Sequence, residues 1–153
     1  WDESYYRIVT YGLFQNLKTK KTFWIINTHF DNDGKIARQK SLEVIDNLIQ
    51  KLTKVKNIPA FFMGDFNMNQ QDESVKYIQN KYLDTRQNAK MVYGADFTWE
   101  AFNFKEKGTE ILDYIFYKKN DKVSCKSFNT IDDFYDFKYP SDHLPILAQF
   151  NIQ

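Results

Sequence analysis

From Lys21 to Ile26 the chain reads Lys-Thr-Phe-Trp-Ile-Ile, and from Ala60 to Met63 it reads Ala-Phe-Phe-Met. A strand sends alternate side chains to opposite faces, so apolar residues at consecutive positions need cover on both. These segments therefore belong inside a layered domain, and the sequence contains a cover. Leu42, Ile45, Leu48, Ile49 and Leu52 fall at helical spacing within Ala37 to Leu52, which predicts an amphipathic helix that follows the turn signal Asn32-Asp33-Gly34 and breaks over Lys54 to Pro59.

Elsewhere the pattern predicts a first strand already under way at Tyr6, Ile8 and Val9 and continuing through Tyr11 to Phe14. A weaker helix is expected over Glu73 to Gln79, and a strand over Ile111 to Tyr117 with Asp113 inside it. Val123 to Thr130 and Leu144 to Phe150 read as the last two strands. Thr85 to Glu110 is polar, punctuated by Gly94 and Gly108, and reads as a long surface loop carrying a short strand at Phe97-Thr98-Trp99. Helices and strands alternate and strands predominate, which gives an α/β (α+β) layered fold.

With 153 residues, 42% of them hydrophobic and 27% charged, the chain has material for one ordinary domain, taken as residues 1–153. Aromatics reach 18%, and their first use is core filling, with stacking on a base or sugar as the alternative. The net charge of +1, from 21 basic and 20 acidic residues, carries no footprint of long nucleic acid, although a local basic groove stays open. Cys125 is alone, which removes an internal disulfide and a cysteine zinc site. No apolar run approaches a membrane-spanning length, and Trp1-Asp2-Glu3 does not open a signal peptide, so localisation is left open between cytoplasm and export.

Four apolar runs end in or enclose polar groups of the kind that handle metals and phosphates: Asn27-Thr28-His29, Gly64-Asp65-Phe66-Asn67, Asp113, and Ser141-Asp142-His143. Strand ends that share one rim bring such groups to one point. Gly64 to Asn67 also suits a plain turn, yet Asp65 and Asn67, two apart at a strand exit, offer a carboxylate and an amide to one pocket. His29 reads either as a satisfied strand-end histidine or as a site residue. Asp113 lies among Leu112, Tyr114, Ile115 and Phe116, where an unpaired carboxylate is costly, so it needs a cation, a metal or a donor such as an imidazole. Only His29 and His143 can supply that imidazole. Ser141-Asp142-His143, between Pro140 and Pro145, is a capped turn or an Asp for a metal beside a His for a proton. No Gly-x-Ser-x-Gly elbow supports a serine triad.

Asn27-Thr28-His29-Phe30-Asp31, Ala37-Arg38, Gly64-Asp65-Phe66-Asn67, Leu112 to Phe116 and Ser141-Asp142-His143-Leu144-Pro145 together resemble the endonuclease/exonuclease/phosphatase (deoxyribonuclease I-like) superfamily. The nearest likeness is to its uncharacterised bacterial branch, where a Trp-Asp pair, here Trp1-Asp2, precedes an Arg-bearing strand, here around Arg7. The resemblance implies a phosphodiesterase, nuclease or phosphatase that hydrolyses phosphate esters with Mg2+, or with Mn2+. It implies Asp142 as a metal ligand and Asp113 as the partner of His143. Asp65 and Asn67 would position water and stabilise developing charge, and His29 would bind a phosphate oxygen or assist the leaving group. Substrate is expected to be a phosphate ester, either a small molecule or nucleic acid.

The resemblance also implies a four-layer α/β/β/α sandwich of which these motifs form the C-terminal part. The upstream Asn and metal-binding Glu of the family have no counterpart, and Asn32 and Ile111 stand where the branch often has His and Arg. The expectation is an N-terminally truncated domain with an exposed apolar sheet face, completed by the missing half or by self-association. The alternative is a non-catalytic remnant acting as a binding or structural domain.

Overall fold

The computed structural model describes residues 1–54, 57–103 and 105–153. In chain order its elements are β1 (Val9–Gln15), β2 (Thr22–His29), α1 (Lys35–Thr53), β3 (Ala60–Asp65), α2 (Glu73–Gln79), β4 (Leu83–Asp84), α3 (Thr85–Asn88), β5 (Met91–Gly94), β6 (Asp113–Tyr117), β7 (Val123–Thr130) and β8 (Ile146–Ile152). The strands form a five-stranded sheet, ordered β1-β2-β3-β6-β4, and a three-stranded sheet, ordered β5-β7-β8. β2 and β3 are parallel and joined through α1, whereas β6 runs antiparallel to β3.

The consecutive apolar runs are covered on both faces, as their pattern requires. Ile26, Phe62 and Phe116 join Leu42, Ile45 and Ile49 of α1 and Val75 and Ile78 of α2 in one core. Phe61 and Tyr117, with Phe23, Ile25 and Met63 against them, meet Cys125, Val123, Phe150 and Ile152 of the second sheet in another. The order of layers is thus helices, sheet, sheet. Phe61 and Phe150 lie with ring centroids 4.5 Å apart across the two sheets. Phe66, just past β3, is fully buried against Phe30, Phe62 and Tyr114. Such complete burial of a Phe contributes about 2–3 kcal/mol. It also fixes the chain direction immediately after Asp65.

Helix α1 has a distant cap. Gly34 at its N-cap offers no side chain, and the Asp2 carboxylate accepts instead from the backbone N–H of Ile36 at 3.1 Å and Ala37 at 2.7 Å. Asp31 accepts from four backbone donors, Ser4, Tyr5, Asp33 and Gly34. Those bonds, led by the one from Gly34, hold its carboxyl down to about 2.

Some expectations are corrected. The first strand begins at Val9, because the backbone donors of Ser4 and Tyr5 go to Asp31 rather than into a ladder. Asp113 opens β6 instead of lying inside it, and the last strand begins at Ile146 because the Leu144 N–H is taken by the Thr98 carbonyl. The stretch from Thr85 to Glu110 is not all loop: it starts with α3, capped by Asp84, and contributes β5, parallel to β7. At Phe97-Thr98-Trp99 there is no strand of its own among the described residues, only single bridges from Trp99 to Glu110 and to His143. Of the break expected over Lys54 to Pro59, positions 55 and 56 lie outside the described residues. Tyr11, Leu13 and Phe14 of β1 and Met91, Val92 and Tyr93 of β5 stand largely in solvent.

Candidate active site

Strand register assembles the centre of the site. His29 ends β2, Asp65 ends β3 beside it, and Asp113 begins the antiparallel β6 opposite Asp65, so the three occupy one row across adjacent strands. Neighbouring strands lie about 4.8 Å apart, which puts functional groups of these lengths in contact. The His29 Nε2 atom is 3.2 Å from Asp65 Oδ2. Close approach of β2 and β3 here needs a residue without a Cβ. Gly64 has φ +142°, and a Cβ on it would stand 1.7 Å from the Thr28 carbonyl oxygen.

His143 arrives from the other sheet, on the loop before β8. Its Nδ1 is 2.7 Å from Asp113 Oδ2, and its Nε2 is 3.6 Å from Asp65 Oδ2. The loop is held by its own atoms: the His143 N–H donates to Ser141 Oγ at 3.1 Å, and the Glu100 N–H donates to the Asp142 carbonyl. Asp113 raises the proton affinity of His143, against the opposing effect of burial. Burial raises the Asp65 carboxyl as well, and the nearby Asp113 charge adds to it, while the N–H of Asn67 and the two imidazoles pull it back. A half-buried carboxylate flanked by two imidazoles can accept or relay a proton and orient a water.

Asn67 stands two residues past Asp65, just beyond the end of β3. Its backbone N–H donates to Asp65 Oδ1 at 2.8 Å, closing a turn at φ +50°, and its side-chain amide donates to the Phe30 carbonyl at 2.9 Å. Asp65, Asn67, Asp113, Asp142, His143 and His29 all line one open cleft of about 1130 Å³. His29 has 55% of its side chain exposed and His143 24%, so His29 is the more accessible to a ligand in the cleft.

Among the described residues, Asp65, Asp113 and His143 are the group whose ligand atoms lie close enough, within 4.8 Å of one another, to share an ion. That spacing suits ligands on opposite sides of a cation bound at 2.0–2.6 Å. Asp142, expected as the metal ligand, lines the cleft but stands outside that group.

Thr98 is a residue whose part in the site sequence reasoning missed. It is wholly buried, and its hydroxyl oxygen accepts from the backbone N–H of Leu112 at 2.9 Å and Asp113 at 3.1 Å, while its carbonyl accepts from Leu144 at 2.7 Å. It thereby ties the start of β6 to the His143 loop. A polar residue between Phe97 and Trp99 was the only local signal. Tyr5, Trp99 and Glu110 also line the cleft.

The profile of the Endonuclease/Exonuclease/phosphatase family matches residues 3–143. A solved mannosyl-6-phosphatase of Bacteroides thetaiotaomicron superposes with a TM-score of 0.91 at 26% identity, over 98% of this chain and 59% of that one. A solved endonuclease/exonuclease/phosphatase of Bacteroides vulgatus superposes at 0.87 and 30% identity, over 100% and 58%. The CCR4-Not complex 3'-5'-exoribonuclease subunit Ccr4 of Kluyveromyces lactis is 24% identical over 90% of this chain and 22% of its own length. The chain therefore spans about a fifth of that curated relative and less than two thirds of the solved structures.

Proposed function

We propose, from the premise that this chain belongs to the endonuclease/exonuclease/phosphatase family, that its cleft is the active-site half of a divalent-metal-dependent phosphate-ester hydrolase. The observation that carries the proposal is the row His29, Asp65, Asp113 closed by His143, because it unites a proton-transfer pair with a carboxylate facing an open cleft. Asp113 fixes the imidazole of His143 through Nδ1 and leaves Nε2 directed at Asp65 Oδ2. His143 then moves a proton at Nε2, and Asp65 orients the attacking water. His29, exposed beside Asp65, binds a phosphoryl oxygen, and the Asn67 amide, anchored on the Phe30 carbonyl, faces the developing charge.

Oxygen donors predominate in the cleft, which suits a hard cation such as Mg2+, with Mn2+ as a substitute. Asp65, Asp113 and His143 are the residues close enough to share it, and Asp142, adjacent to His143 in the chain, lines the same cleft. Bound there, the cation supplies Lewis-acid charge neutralisation. A mannosyl-6-phosphatase and an exoribonuclease subunit among the relatives support a small phosphate ester or a nucleic acid as substrate.

A second reading, a phosphate-binding domain without turnover, is favoured by the position of Asp142 outside the group of residues close enough to share an ion. The full chain, with magnesium or manganese, is assayed on bis(p-nitrophenyl) phosphate, plasmid DNA and mannose 6-phosphate beside His143→Ala. A loss of about 10²–10⁴-fold in the variant is expected. Turnover unaffected by the substitution overturns the hydrolase mechanism, and turnover absent from both proteins supports the binding-domain reading.

A further inference from the structure

The cleft has a second polar centre beyond the row of His29, Asp65 and Asp113. Arg7 and Arg38 both line it, and both are partly buried. Each is held by neutral oxygens: Arg7 donates to Asn32 Oδ1 at 3.3 Å, and Arg38 donates to the carbonyls of Asp31 and Asn32 at 3.0 Å. Among the described residues neither guanidinium has a carboxylate partner. Both Nε atoms are buried without a hydrogen-bond partner.

Two partly buried cations that share a neutral residue, each with an unused buried donor, are short of an anion. A guanidinium offers five donors in a rigid fork matched to phosphate and carboxylate oxygens. The acidic side of the cleft, with Asp65, Asp72, Glu110 and Asp142, repels a second anion there, so the Arg7 and Arg38 side is where one settles.

We propose that Arg7 and Arg38 form a second anion subsite, so that the cleft takes phosphate esters carrying a further phosphate. The inference rests on the hydrolase reading for the identity of the first anion. Asn32, which both arginines contact, lies three residues beyond His29, and the arginines border the same cleft as the row of His29, Asp65 and Asp113. Tyr5, under the Arg7 guanidinium at 5.4 Å from its ring centroid, holds the fork in place and walls the cleft beside it.

Binding is measured on the full chain by calorimetry with fructose 1,6-bisphosphate and fructose 6-phosphate, for the wild type, Arg7→Met and Arg7→Lys, each checked for native circular dichroism. The wild type should bind the bisphosphate at least tenfold more tightly. Arg7→Met should erase that preference with monophosphate affinity changed less than about threefold, and Arg7→Lys should keep part of it. Equal wild-type affinities overturn the proposal, as does an Arg7→Met variant that weakens both ligands alike. The readout needs no turnover, so absence of the preference in the wild type refutes the subsite alone, whereas failure of the hydrolase reading appears only in the His143→Ala assay.

Discussion

Thr98→Val isolates the contribution of a single oxygen to both the fold and the site. Valine keeps the shape of threonine but removes the acceptor on which the N–H groups of Leu112 and Asp113 converge. A buried donor left without a partner costs about 1–3 kcal/mol. Residues 112 and 113 are only partly buried, so the low end applies to each, and the sum is about 2 kcal/mol. For a chain of this size that lowers Tm by roughly 4–8 °C. The local effect is more specific: Asp113 loses the bond that sets the start of β6, its alignment with His143 Nδ1 loosens, and the imidazole titrates closer to its ordinary 6.5. Urea unfolding measures the first effect, and NMR titration of the His143 ring protons measures the second. Thr98→Ser, which keeps the hydroxyl and loses one methyl, should cost about 1 kcal/mol and leave the titration in place. If Thr98→Val unfolds at the wild-type urea midpoint and His143 titrates unchanged, the account of Thr98 as the tie between β6 and the His143 loop is wrong.

Gly64→Ala should yield no soluble folded chain on expression, because its Cβ would meet the Thr28 carbonyl at 1.7 Å and neither strand can move without breaking the row. Asp113→Asn should bring the His143 midpoint down. Because pairing raises the folded proton affinity, its stabilising effect is full below pH 6.5 and fades as pH rises through the folded midpoint, so urea midpoints of wild type and variant should differ most below pH 6.5 and converge once pH passes that folded midpoint. The Asp31 carboxyl, held at about 2, stabilises fully above its unfolded value near 3.9 and loses that effect as pH falls through about 2. Acid unfolding of Asp31→Asn followed by circular dichroism should lack that part of the pH dependence, and an acid limb identical to the wild type's would contradict it.

The parts of the fold legible in the sequence are those decided by near neighbours. Continuous apolar runs marked β2 and β3, helical spacing marked α1, and the reading of Asp113 as a carboxylate in search of an imidazole is matched by the 2.7 Å contact with His143. What was hidden depends on partners far along the chain. The stretch before Val9 resembles a strand, but Asp31 removes two of its donors. β5 shows no buried face and exists by pairing with β7. The part of Thr98 in the site appears only when residues 98, 112, 113 and 144 meet. Arg7 and Arg38 were visible as motif members, and their buried Nε atoms without a hydrogen-bond partner among the described residues became visible only in three dimensions.

Asp113 belongs to the five-stranded sheet, and His143 leads into the three-stranded one. Their hydrogen bond is therefore a gauge of how the two sheets are seated on each other. The contact of Phe61 with the partly buried Phe150 between the layers is part of that seating. Whatever slides one layer over the other, whether a trimmed aromatic or a bound molecule, is written into the acidity of one imidazole. Because Asp113 raises the proton affinity of His143, a titration of that ring would read the alignment of the two layers, and side chains that never touch a ligand would bear on the chemistry of the cleft.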